Sequence, residues 1–105
     1  MREIRIVLPT AAGELAHKWL SNRLVADFGG FTRFQVDGCW KDGALICEQG
    51  AAFDVVVPDE PRSDWALMSI AAGLFERTKE RAIYVRGRDG RVELIARPEQ
   101  EEQAA

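Results

Sequence analysis

Ile4, Ile6 and Leu8 recur with a period of two, with Arg5 and Val7 between them. That alternation predicts a strand with one buried face. Pro9 ends it, because proline has no N–H with which to continue a ladder. From Ala12 the period lengthens. Leu15, Ala16, Trp19, Leu20, Leu24 and Phe28 fall on one stripe of a helix, while Lys18, Ser21, Asn22 and Asp27 lie away from it. Thr10 is the expected N-cap, and Gly29-Gly30 supplies the left-handed conformation that commonly closes a helix.

Phe31 to Trp40 then reads as a strand, Asp42-Gly43 as a two-residue turn, and Ala44 to Val57 as the returning strand. Pairing Lys41 with Ala44 sets Trp40 opposite Leu45, Cys39 opposite Ile46 and Asp37 opposite Glu48. One face of this hairpin then carries Thr32, Phe34, Val36, Trp40, Leu45, Cys47, Phe53, Val55 and Val57. The other carries Arg33, Gln35, Asp37, Cys39, Ile46, Glu48 and Asp54.

Pro58 to Pro61 is a predicted loop, and Ser63 the predicted cap of a second helix. Its apolar stripe is Trp65, Leu67, Met68, Ile70, Ala71, Leu74 and Phe75. Ile83-Tyr84-Val85 returns to strand, Asp89-Gly90 repeats the hairpin signal, and Val92 to Ile95 makes a short extra strand. The order β-α-β-β-α-β predicts an α+β, ferredoxin-like two-layer sandwich with a possible additional C-terminal hairpin strand. Leu24, Phe34, Val55, Leu74 and Ile83 are expected to share its core. Residues 1–97 form a single domain in this reading, and residues 98–105 a frayed acidic tail.

Length agrees, since 105 residues make one domain. A formal charge of −3 argues against a surface built wholly to clamp phosphates. The Arg86, Arg88 and Arg91 run sits beside Asp89 and Glu93 and reads as a charged hairpin tip, so no nucleic-acid partner is expected. The apolar runs are too short to span a bilayer, and the first residues lack a signal-peptide core. A cytoplasmic protein without membrane attachment is expected.

The segment Phe28-Gly29-Gly30-Phe31-Thr32, followed by Gly38-x-Trp40, the Asp42-Gly43 turn, Glu48 and an apolar strand, resembles a family of small uncharacterised bacterial proteins. Their pattern is F-G-G-[FY]-T, G-x-W, D-G and a downstream Glu. Gln49 departs from it, because the family often has Pro after the Glu. The resemblance implies the same α+β class and carries no activity with it.

Candidate chemistry is sparse. Gly29-Gly30 follows a helix and precedes a strand, the reverse of a phosphate-binding loop. His17, the one histidine, has mostly polar neighbours along its helix and reads as solvated. Cys39 and Cys47 lack metal-ligand spacing. In the pairing above they face opposite ways, which predicts no intramolecular disulfide, a buried Cys47 and a reactive Cys39. No metal or cofactor is expected.

The open sheet face mixes apolar and charged residues. Val7, Arg33, Gln35, Ile46, Glu48, Val56, Tyr84 and Arg86 suggest an interface for a second copy in a homodimer or for a protein partner. The favoured function is therefore a non-catalytic interaction or self-associating module, such as an accessory or inhibitor protein of a mobile element. The alternative is a small-molecule-binding protein or small enzyme with a pocket between sheet and helices, built from His17, Trp40, Glu48 and Tyr84.

Overall fold

A computed structural model describes residues 1–87 and 92–98. The expected Asp89-Gly90 turn, Arg88, Arg91 and the tail beyond Pro98 lie outside the described residues. The elements are β1 (Arg2–Pro9), a 3-10 turn (Thr10–Ala12), α1 (Glu14–Phe28), β2 (Thr32–Asp42), β3 (Ala44–Val57), α2 (Pro61–Arg77), β4 (Ala82–Gly87) and β5 (Val92–Ala96). The five strands form one antiparallel sheet in the order β2-β3-β1-β4-β5. The fold is α+β, with both helices on one face of that sheet.

Alternation decides which face. Ile4, Ile6 and Leu8 of β1, Ala51, Phe53, Val55 and Val57 of β3, and Ile83 of β4 project to the helix side. There they meet Ala16, Leu20 and Leu24 of α1 and Ile70, Ala71, Leu74 and Phe75 of α2 in one cluster. The two helices meet where the Trp19 ring lies on Gly73. A Cβ on Gly73 would stand 2.1 Å from that ring, so the contact requires glycine. Arg77 stacks over the indole, 4.3 Å from its centre.

The helix stripes are narrower than their periodicity suggests. Leu15 and Trp65 are 82% and 73% exposed, and Met68 is exposed as well. A helix in a two-layer domain buries only the side turned to the sheet, and these residues sit on its flanks. Both predicted caps are also corrected. Thr10 opens the 3-10 turn and accepts the Gly13 N–H through its backbone oxygen, leaving Gly13 as the N-cap of α1. α2 begins at Pro61, with Glu60 as N-cap, because proline's fixed φ suits a first helical turn. Ser63 is buried one turn inside, its N–H bonded to the Glu60 carbonyl. The C-cap of α1 is as expected: Gly29 has φ 89° and donates to the Val25 carbonyl at 2.9 Å.

The largest correction concerns the β2–β3 register. The chain turns about Gly43 alone, at φ +74°, so Asp42 rather than Lys41 faces Ala44. Trp40 then pairs with Ile46, Cys39 with Cys47, and Asp37 with Gln49. The shift of one residue turns β2 over. Arg33, Gln35, Asp37 and Cys39 move to the helix side, while Phe34, Val36 and Trp40 move to the open face. Phe34 is 37% exposed and so drops out of the expected core, where Leu24, Val55, Leu74 and Ile83 remain. Cys47 and Leu45 keep the same side as Phe53 but lie beyond the helices, and both are exposed. Cys39 and Cys47 form a disulfide, contrary to the expected pair of separate thiols. Among the described residues, no helix is long and apolar enough to cross a membrane.

Candidate functional site

The open face acquires its shape from strand length. β1 stops at Pro9, opposite Gly50, while β3 continues for another six residues to Ala44, paired there only with β2. On the other side of β1, β4 begins at Ala82. Continuing its register with β1 sets Ala82 level with Pro9, so β4 does not pass the end of β1 and only the β2–β3 ribbon runs beyond it. A cavity of about 650 Å³ lies on the open face over this end of the sheet, with its interior mostly apolar. Trp40 and Glu48 form the wall on the β2–β3 side, Tyr84 and Leu94 the wall on the β4–β5 side, and Val7 lies on the floor between them. Gly50 completes the floor. A Cβ there would approach the Leu8 carbonyl oxygen to 2.8 Å, so β1 and β3 can close at this point only over glycine.

Glu80 enters from the loop between α2 and β4, and several bonds hold that loop. Thr78 Oγ1 donates to the Leu74 carbonyl at 2.8 Å and accepts the Glu80 N–H at 3.3 Å. Arg97 Nε donates to the Glu80 carbonyl at 2.9 Å, its Nη2 to the Thr78 carbonyl at 2.8 Å, and its guanidinium lies over the Phe75 ring. Burial raises the Glu80 carboxyl above the ordinary glutamate range, and the negative charge of Glu48 raises it further, against a smaller opposing effect of Arg97. Glu48, Glu80 and two aromatic rings thus line one mostly apolar hollow, which Arg5 and Asp37 also border.

Farther along the same face, Arg5 makes a two-pronged bond to Asp54, Nε to Oδ1 at 2.7 Å and Nη2 to Oδ2 at 2.9 Å. The Phe34 ring lies 4.7 Å from the guanidinium carbon. The hydrogen bond from Arg5 holds Asp54 below its usual range despite burial, with help from the charge of Arg86. Arg5 also lines the cavity, so this pair fixes a cation at its border.

The expected site residues are thereby sorted. Val7, Trp40, Glu48 and Tyr84 meet in the cavity. Ile46, Val56 and Arg86 share the open face outside its lining. Arg33 and Gln35 do not belong there: Arg33 lies on the helix side over Phe53, and Gln35 lines a separate polar niche with Thr10 and Asp37. His17 is neither solvated nor in the cavity. It is half-buried, with Nε2–H donating to the Pro9 carbonyl at 2.8 Å and its ring tilted against Phe53. The cavity itself lies on the opposite side of the sheet from the helices, and the expected pocket between the two layers is corrected accordingly. Glu80 and Leu94 escaped the sequence reading, because each reaches the cavity through strand order and not through any local pattern.

No family model and no curated protein sequence matches the chain. Its architecture is nevertheless shared with solved structures, all at low identity. A phage SAM lyase in complex with S-methyl-5'-thioadenosine superposes with a TM-score of 0.67 at 12% identity, over 91% of this chain and 89% of that one. A phage SAM lyase in its apo state gives a TM-score of 0.67 at 14% identity, over 95% and 92% of the two chains. At such identities the likeness establishes the fold. It also corrects the expectation of a non-catalytic interaction module, because the two solved structures named above are of phage SAM lyases, which are enzymes. The enzyme or small-molecule alternative is the better supported reading.

Proposed function

We propose that the protein is a small enzyme that binds a sulfonium nucleoside of the S-adenosylmethionine class in the open-face cavity and cleaves one of its carbon–sulfur bonds. The observation that carries this reading is the meeting of Glu48, Glu80, Trp40 and Tyr84 in one apolar hollow, on a fold shared with phage SAM lyases. A ligand combining a flat base with a positive sulfur matches such a lining. Aromatic rings offer a face to the base or the cation, carboxylates oppose the charge, and apolar walls exclude water. The strand order β2-β3-β1-β4, with both helices on one face, supports a ferredoxin-like topology in which β5 is an added edge strand.

The electron balance of such a cleavage is simple. The bonding pair remains on sulfur, which becomes a neutral thioether such as S-methyl-5'-thioadenosine. The carbon left behind takes electrons from within the substrate. Either the substrate's own carboxylate attacks it, or an adjacent C–H bond breaks and its proton passes to a carboxylate such as Glu80. The raised affinity of Glu80 for a proton suits it to that second task. A lactone product marks the first course and an unsaturated acid the second.

Incubation with S-adenosylmethionine and chromatography of the products tests the reading. Release of S-methyl-5'-thioadenosine is expected, falling about tenfold or more in Glu48→Gln or Glu80→Gln. The absence of both turnover and calorimetric binding of S-adenosylmethionine with the folded protein would remove the proposal.

A further inference from the structure

We propose that the Cys39–Cys47 disulfide positions one wall of the cavity, and that its reduction by a dithiol releases that wall; the inference rests on the cavity being the ligand site. The rung joining Val36 to Gly50 is the last at which β3 also pairs with β1. From Asp37 opposite Gln49 to Asp42 opposite Ala44, the hairpin is a ribbon of two strands with no third beside it among the described residues. Every residue in this ribbon is exposed, so neither helix supports it. A two-stranded ribbon without a packed layer is marginal in water. Yet this one must hold Trp40 and Glu48 in place.

The disulfide lies where such a ribbon needs it. Cys39 and Cys47 face each other in the register, one adjoining Trp40 and the other Glu48. Successive side chains of a strand point to opposite faces. The crosslink therefore stands behind the wall and fixes the two cavity residues without occupying the cavity. Both cysteines are exposed and open to a reductant. In the exchange, two electrons and two protons pass from the dithiol to the Sγ atoms of Cys39 and Cys47, giving two thiols, while the dithiol closes to its own cyclic disulfide. The core cluster beneath the helices has no part in the crosslink.

The test compares oxidised protein, the same protein in dithiothreitol, and the Cys39→Ala, Cys47→Ala double variant. Amide hydrogen exchange is read for residues 36–49 and for the segments containing Ile6, Phe53 and Leu74. S-Adenosylmethionine is titrated calorimetrically against each form. Reduction and the double variant should both speed exchange in the ribbon about tenfold or more, with the core segments unchanged. The dissociation constant should rise about tenfold, and removing dithiothreitol with reoxidation should restore it. Unchanged ribbon exchange overturns the proposal whether or not ligand binds. Faster exchange with unchanged affinity overturns the positioning role. Faster exchange in a protein whose oxidised form binds no S-adenosylmethionine supports the staple and overturns the ligand reading alone.

Discussion

The two faces of the sheet share the same strands and obey different rules. On the helix side, Leu8, Phe53, Val55 and Leu74 are fully or almost fully buried, and the partners of each are set by contact. On the open side, Phe34, Trp40, Ile46, Val56 and Leu94 are large, apolar and substantially exposed. A sheet face meant only for solvent has no use for such residues. The contrast separates side chains that hold the molecule together from side chains held ready for something else.

Substitutions should respect that division. Leu74→Ala, at the centre of the helix side, should cost about 2–5 kcal/mol in denaturant unfolding, while the remaining folded protein keeps its ligand affinity. Gly73→Ala comes next, because the new methyl group meets the Trp19 ring. A loss of about 1–3 kcal/mol is expected, and it should shrink when Trp19→Leu makes room. A full loss in the double variant would place the strain elsewhere.

Asp54→Asn probes a stabilising contact on the open face and should cost about 1 kcal/mol at neutral pH. The folded state lowers the Asp54 pKa, so the ion pair contributes fully above the unfolded value and the contribution is lost as pH falls through the folded one. Stability curves of parent and variant should therefore converge in acid. Trp40→Ala should have the smallest effect on stability, about half a kcal/mol or less, yet weaken S-adenosylmethionine binding more than any of the others. A large loss of stability from Trp40→Ala would erase the distinction between the two faces.

Much of the fold was legible from the chain because short-range rules govern it. The alternation at Ile4, Ile6 and Leu8, the glycine stop at Gly29 and the stripe through Leu20 and Leu24 all appear as read. The hairpin was legible as a hairpin, but its register depended on whether one or two residues form the turn. Phe34, Val36 and Trp40 look like core when only hydrophobicity is weighed. Their exposure follows from Gly43 closing the turn alone, a choice that local propensity does not make. Of the candidate site, Trp40, Glu48 and Tyr84 were singled out: Glu48 and Tyr84 lie on the open face where the alternation put them, whereas Trp40 was expected on the core side. Glu80 could not be found by pattern, since it reaches the cavity that Glu48 lines only because the strand order sets the loop before β4 across β1 from β3.

The ending of β1 gives Pro9 an importance beyond a strand boundary. The residue neither contributes charge nor offers a reactive atom, yet the position at which it stops β1 determines how much of the β2–β3 ribbon runs on without β1 beside it. Moving such a stop by two residues along the strand, a step that preserves its inward and outward faces, would lengthen or shorten the free ribbon that carries Trp40 and Glu48 and so reset one wall of the hollow. Related chains could therefore diverge in the size of molecule they admit through changes in the length of one central strand, before any change in the side chains that touch it.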